Sequence, residues 1–145
     1  MGVRFSMKYR VTIIALNSCG CDAEGEVVAE LEDKSIIHFY YQGSDSQAKQ
    51  VFVVGKPIEV ELKGEDCKVE MLHGNSTSNI TFPNKNCYFI ATGQLLSKDV
   101  VDDEVLFLLK SSFQLQFDNE FNDSEIPLGS NIKVTGELWA DNWWP

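Results

Sequence analysis

Few residues in this chain are able to do chemistry, and they are scattered. The cysteines are Cys19, Cys21, Cys67 and Cys87, and the histidines are His38 and His73. A structural zinc site needs four converging ligands, usually with knuckle spacings of about two to four residues. Cys19-Gly20-Cys21 is too tight for such a knuckle, and Cys67 and Cys87 stand far apart with no knuckle at all. In extended chain Cys19 and Cys21 point the same way and are badly placed to pair, so reduced thiols are the expectation. His38 lies between Ile37 and Phe39 in an extended run, where alternation turns it to the opposite face. That is the position of a partly exposed sheet histidine. His73 sits beside Gly74 in turn composition, and neither histidine has triad or metal spacing to a Cys or Asp. No GxSxG, HExxH or phosphate-cradling Gly-rich loop occurs. No catalytic residue, metal or cofactor is therefore expected, and the chain reads as non-enzymatic.

The acidic residues are more concentrated. Asp118-Asn119-Glu120-Phe121-Asn122-Asp123-Ser124-Glu125 places oxygen ligands at alternate positions, as calcium loops do, but lacks the sixth-position glycine and distant bidentate glutamate of an EF-hand. A solvated loop is the plainer expectation. Asp99, Asp102, Asp103 and Glu104 form a second acidic stretch. The formal net charge is −10, a field that repels phosphate backbones and argues against nucleic acid as a partner. The same field would steer a basic protein. Trp143 and Trp144 lie at the chain end, where two large aromatics either cover the protein's own core or anchor a partner. The leading reading is a non-enzymatic acidic protein-binding module, such as an inhibitor or immunity protein. Asp99, Asp102, Asp103, Glu104, Asp118, Glu120, Asp123 and Glu125 would steer its basic partner, and Trp143 and Trp144 would anchor it. The alternative is a β-barrel that binds a small ligand, oligosaccharide or single-stranded nucleic acid, with Tyr40, Tyr41 or Tyr88 on a concave face beside Lys or Arg.

The elements that position these residues are strands. Glu104 to Phe117 opens with the apolar run Val105-Leu106-Phe107-Leu108-Leu109 and breaks at Lys110-Ser111-Ser112. It then alternates as Phe113-Gln114-Leu115-Gln116-Phe117, with both glutamines expected on the polar face. A hairpin is the economical reading. Further strands are expected at Tyr9–Leu16, Glu26–Leu31, Ser35–Tyr41, Ile58–Leu62, Cys67–Leu72, Ile80–Phe82, Tyr88–Leu96 and Ile132–Trp139. Gln42–Gln50 is polar enough for a loop or one helical turn, Gly64-Glu65-Asp66 reads as a turn, and Ser97–Asp103 reads as an acidic loop.

The strands fall into two similar series. A shift of 78 residues lays Tyr9–Leu16 on Cys87–Gln94, Leu31 on Leu109, and Ile37 and Phe39 on Leu115 and Phe117. Dropping four residues then lays Gly55 on Gly129, Ile58 on Ile132 and Val60 on Val134. About ten short strands without a convincing amphipathic helix give an all-β fold, two pseudo-repeats of OB-like or Greek-key type forming a barrel or sandwich. The chain is expected to be one compact domain over residues 1–145, with halves near 9–64 and 87–139 joined by a loop-rich connector at 65–86. The apolar stretch Val11–Leu16 is too short for a signal peptide or a membrane span, so a cytoplasmic location and no membrane contact are expected.

Overall fold

A computed structural model describes residues 7–74, 77–101, 104–118 and 126–144. The described residues form nine strands, β1 (Lys8–Ser18), β2 (Glu24–Leu31), β3 (Ile36–Gln42), β4 (Pro57–Met71), β5 (Asn79–Thr81), β6 (Tyr88–Val101), β7 (Glu104–Lys110), β8 (Gln114–Asp118) and β9 (Asn131–Asp141). One short helix, α1 (Asp45–Val51), joins β3 to β4. Alternation explains most strands directly: along β9 every second residue from Ile132 to Leu138 is buried. The helix starts where it does because Ser44 and Gln47 form a capping box. The Ser44 hydroxyl accepts from the Gln47 N–H at 3.2 Å, while the Gln47 side chain accepts from the Ser44 N–H at 3.4 Å. Ala48 and Phe52 point from this short segment into the core.

The sheet order is β1-β2-β3-β9-β4-β8-β7-β6-β5, and two further pairings, β1 with β4 and β9 with β6, bend it into two rings. The first ring runs β1-β2-β3-β9-β4 and closes on β1; the second runs β6-β7-β8-β4-β9 and closes on β6. All the ring pairings are antiparallel except β3 with β9 and β8 with β4. Each ring thus has the order first, second, third, fifth, fourth, with its third and fifth strands parallel. That is the winding of a five-stranded Greek-key barrel of OB type. The long strands β4 and β9 serve both rings: the fourth strand of one is the fifth of the other.

The two rings match in detail. Each first strand carries a bulge before it pairs on, between Ile13 and Ala15 in β1 and between Leu95 and Ser97 in β6. Gly55 N–H donates to the Ile13 carbonyl at 2.7 Å, and Gly129 N–H donates to the Leu95 carbonyl at 2.8 Å. Both glycines have positive φ, 84° and 86°, which permits the tight turn into the next strand. Val11, Ile13, Val27, Ile37, Phe39, Tyr41, Phe52 and Leu62 fill the first barrel. Phe89, Leu95, Phe107, Leu109, Leu115, Phe117, Ile132 and Val134 fill the second. Burial of each large apolar side chain contributes about 1.5–3 kcal/mol.

The structure corrects several local readings. Gly64-Glu65-Asp66 is not a turn; β4 runs through it to Met71 with a bulge between Glu65 and Lys68. Gly64 is there for space, since a Cβ would meet Phe117 and Phe89 at 3.0 Å. Ser97–Asp103 is not a loop as far as Val101, because β6 continues there against β7. Gln116 does not face solvent: it is 9% exposed, and its side-chain carbonyl accepts from the Met7 N–H at 3.4 Å. Cys19 and Cys21 are joined as a disulfide with Cα atoms 5.4 Å apart. Gly20, at φ 81°, folds the chain out of the extended conformation that would have kept them apart. Cys67 and Cys87 are free and buried.

Candidate ligand groove on the first barrel

On β2 and β3 the inward positions are Gly25, Val27, Ala29, Ile37, Phe39 and Tyr41, so alternation turns Glu24, Glu26, Val28 and Glu30 outward beside Ile36, His38 and Tyr40. Register sets Val28 opposite His38 and Glu26 opposite Tyr40. The segment from β5 to β6 lies over this outer face. Phe82 packs on His38 with ring centroids 5.4 Å apart. Lys85, at φ 53°, turns the chain back, its N–H donating to the Phe82 carbonyl at 3.1 Å. Between these elements lies a hollow of about 450 Å³ lined by Val28, Ile36, His38, Ile80, Thr81, Phe82 and Lys85. The face of the second and third strands is where OB barrels bind their ligands.

The groove's edge is acidic and half-dry. Tyr40 lies on Trp139 with centroids 4.9 Å apart. The Cys87 thiol donates to the Glu26 carboxylate at 3.5 Å. Burial pushes the Cys87 thiol well above its ordinary value, and the Glu26 charge adds to the effect. Burial likewise raises the Tyr40 phenol, helped by Cys87, Glu26, Glu137 and Glu24. His38 is held below the usual imidazole value by burial, with Glu26 pulling the other way. At neutral pH His38 is therefore mostly uncharged, leaving Lys85 as the cation lining this hollow.

The sequence-derived site residues do not come together here. Asp99 is exposed on β6 and Asp118 ends β8, both level with Leu106 on the strand between them, roughly 10 Å apart at two strand spacings. Asp118 is half-buried, with a carboxylate oxygen 3.9 Å from the Lys63 ammonium. Glu104 opens β7 opposite Val101. Asp102, Asp103, Glu120, Asp123 and Glu125 lie outside the described residues, as does the calcium-like loop beyond Asp118. Trp143 caps the first barrel: its ring lies 5.1 Å from Phe52 and 5.4 Å from Tyr41, and its Nε1–H donates to the Gln42 carbonyl at 3.1 Å. Trp144 is 40% exposed and meets Trp143 edge-to-face at 6.1 Å. Among the described residues no group of His, Cys, Asp and Glu is arranged to hold a metal ion.

Of the tyrosines singled out for ligand stacking, Tyr41 is buried with its hydroxyl 3.4 Å from Ser18 Oγ, whereas Tyr40 stands on the groove's edge. Val28, Ile36, Phe82 and Lys85 are the residues sequence reasoning missed. Val28 and Ile36 had one signal, the outward half of the β2 and β3 alternation, whereas Phe82 and Lys85 join them through tertiary contact alone.

Fold and groove together define a double OB-type β-barrel. Among solved structures, the chain is similar to the cytoplasmic molybdate-binding protein ModG with molybdate bound, at TM-score 0.55 and 12% identity over 95% of this chain and 98% of that one. The likeness is one of fold. No family model matches the chain, and no curated protein matches it. Among the described residues no helix is long and apolar enough to cross a membrane.

Proposed function

We propose that this protein binds a small ligand in the groove on β2 and β3 and does so without catalysis. The observation that carries the reading is the hollow of about 450 Å³ on the binding face of an OB barrel, walled by apolar and aromatic side chains with one lysine at its rim. That lining suits a flat, largely apolar body against Phe82, Val28 and Ile36, with one acidic group directed to Lys85. ModG supports small-ligand binding as a use of the paired barrels. A bare oxyanion such as its molybdate has no apolar body to place against this lining. The basic protein partner, by contrast, rests on net charge, the acidic stretches and the two late tryptophans; of these Asp118 already lies beside Lys63, and Trp143 packs on Tyr41 and Phe52.

The test is a titration of the intact protein with 2-naphthoate, followed by chemical shifts of the Val28, Ile36 and Ile80 methyl groups, with molybdate as comparison. Naphthoate should bind, and Phe82→Ala should weaken it about tenfold through loss of one aromatic contact. Lys85→Glu should weaken it several-fold at low salt and less at high salt. The proposal fails if naphthoate leaves these methyls unmoved at millimolar concentration, or if neither substitution changes its affinity.

A further inference from the structure

The turn between β1 and β2 carries a feature that the groove does not use. Cys19 and Cys21 are both exposed, and a Cβ placed on Gly20 between them would meet nothing within 4 Å. The disulfide closes a ring across a single intervening residue, so it cross-links no distant part of the fold and adds little to stability by restricting the unfolded chain. Backbone contacts already hold the turn. Cys19 N–H donates to the Glu24 carbonyl at 3.3 Å, Gly43 N–H to the Ala23 carbonyl at 2.8 Å, and Asp45 N–H to the Asp22 carboxylate at 2.8 Å. An exposed disulfide that the fold does not need is placed for reaction.

We propose that Cys19 and Cys21 form a reversible thiol–disulfide exchange site for low-molecular-weight thiols, cationic or neutral ones above all. The direction of attack follows from one hydrogen bond. The Cys21 N–H points at Cys19 Sγ at 3.1 Å. A donor there stabilises a thiolate on Cys19, which makes Cys19 the better leaving group. The incoming thiolate therefore attacks Cys21 Sγ. Its new S–S bond forms as the Cys19–Cys21 bond breaks, and the electron pair leaves on Cys19 Sγ, which takes a proton from water. A second thiolate attacks the small-molecule sulfur of this mixed disulfide, releasing the small disulfide and the Cys21 thiolate. Two small thiols are oxidised and the protein disulfide is reduced to two thiols. The selectivity comes from charge: Asp22 and Glu24 flank the pair, and no Lys or Arg occurs from Ser18 to Leu31. Anionic thiols are repelled from the turn. Cys67 and Cys87 take no part, because both are buried and burial pushes both thiols well above their ordinary value.

The experiment treats the native protein with cysteamine, 2-mercaptoethanol or mercaptoacetate, then alkylates with iodoacetamide and reads adducts by intact mass. Untreated protein should take no adduct, thiol-treated protein two at Cys19 and Cys21, and denatured reduced protein four. Compared at equal thiolate concentration, cysteamine should react roughly three- to tenfold faster than mercaptoacetate at low salt, the gap narrowing as salt screens the turn. The near-ultraviolet spectrum should survive reduction, and the disulfide should re-form when cystamine replaces the thiol. In single variants, Cys19 of Cys21→Ser should alkylate faster at neutral pH than Cys21 of Cys19→Ser. Four thiols in the untreated protein, resistance to millimolar thiol under native conditions, or unfolding on reduction would each overturn the proposal. Equal alkylation rates in the two variants would overturn the direction of attack.

Discussion

Trp143→Ala should open one end of the first barrel, and the structure sets the size of the effect. Replacing a fully buried large aromatic by Ala costs about 3–5 kcal/mol. Trp143 is half-buried, but it packs on Phe52 and Tyr41 at 5.1 and 5.4 Å and spends its indole N–H on the Gln42 carbonyl. Scaling for exposure gives a loss of about 2–3 kcal/mol, the hydrogen bond supplying up to about 1 kcal/mol of it. Trp144→Ala removes a surface ring and should stay within about 0.5 kcal/mol. If both rings were partner anchors and nothing else, neither substitution would alter stability. Urea unfolding followed by far-ultraviolet circular dichroism distinguishes the cases. At a slope of about 2 kcal/mol/M, Trp143→Ala should lower the midpoint by about 1–1.5 M with the slope unchanged. A midpoint shift below about 0.3 M, or equal shifts in the two variants, would refute the capping role.

Two further outcomes follow from the core of the β4–β9 seam. Glu65 and Glu137 are both raised above the ordinary carboxyl value, in each case chiefly by burial; Asp118 adds to the effect at Glu65, and Asp66 at Glu137. Their folded values exceed their unfolded ones, so the stability they contribute is full below the unfolded carboxyl value, about 4.3, and is lost as pH rises through the folded values. His38, lowered chiefly by burial, acts oppositely: its contribution is full above the ordinary imidazole value and is lost as pH falls through the folded one. Removing the two raised carboxyls, with Glu65→Gln and Glu137→Gln together, should raise Tm at pH 8 while leaving it nearly unchanged near pH 4.5. Variants that leave Tm at pH 8 unchanged, or that shift both ends equally, would contradict this. Gly136→Ala would place a Cβ 2.6 Å from Cys67 Sγ and 2.9 Å from the Glu65 carbonyl, at a cost of about 1–3 kcal/mol in unfolding free energy. Adding Cys67→Ala should relieve only part of that loss, because the carbonyl remains; full recovery would mean that the bulge is freely deformable.

Alternation made the strands legible, and it also limited what could be read. The expected superposition of β3 on β8 and β4 on β9 agrees with the structure, where Ile37 corresponds to Leu115 and Ile58 to Ile132 by their pairing partners. For β1 and β6 the expected shift was short by four residues, and for β2 and β7 by two. The matched bulges place Ile13 on Leu95, not on Ala91. A slip by an even number of residues keeps every side chain on its proper face, so hydrophobic pattern alone cannot detect it. Gly55 and Gly129 escaped the ambiguity because a positive φ marks one position and no other. The groove was less legible than the fold. Val28 and His38 share a ladder rung that local sequence suggests, but Phe82 and Lys85 arrive from a segment more than 40 residues away.

The sharing of β4 and β9 between the two rings also bears on the order in which the molecule can be made. As the chain leaves the ribosome, β1, β2, β3 and the first part of β4 emerge early, yet their barrel still lacks β9. The second ring lacks the same strand. Both barrels therefore stay unzipped, with sheet edges bare, until residues 131–141 are free, and one late pairing event then shuts the two together. Contacts of such long sequence separation make folding slow and leave the nascent chain dependent on protection from aggregation in the interval. The same arrangement makes neither barrel an autonomous folding unit, so loss of either shared strand costs both.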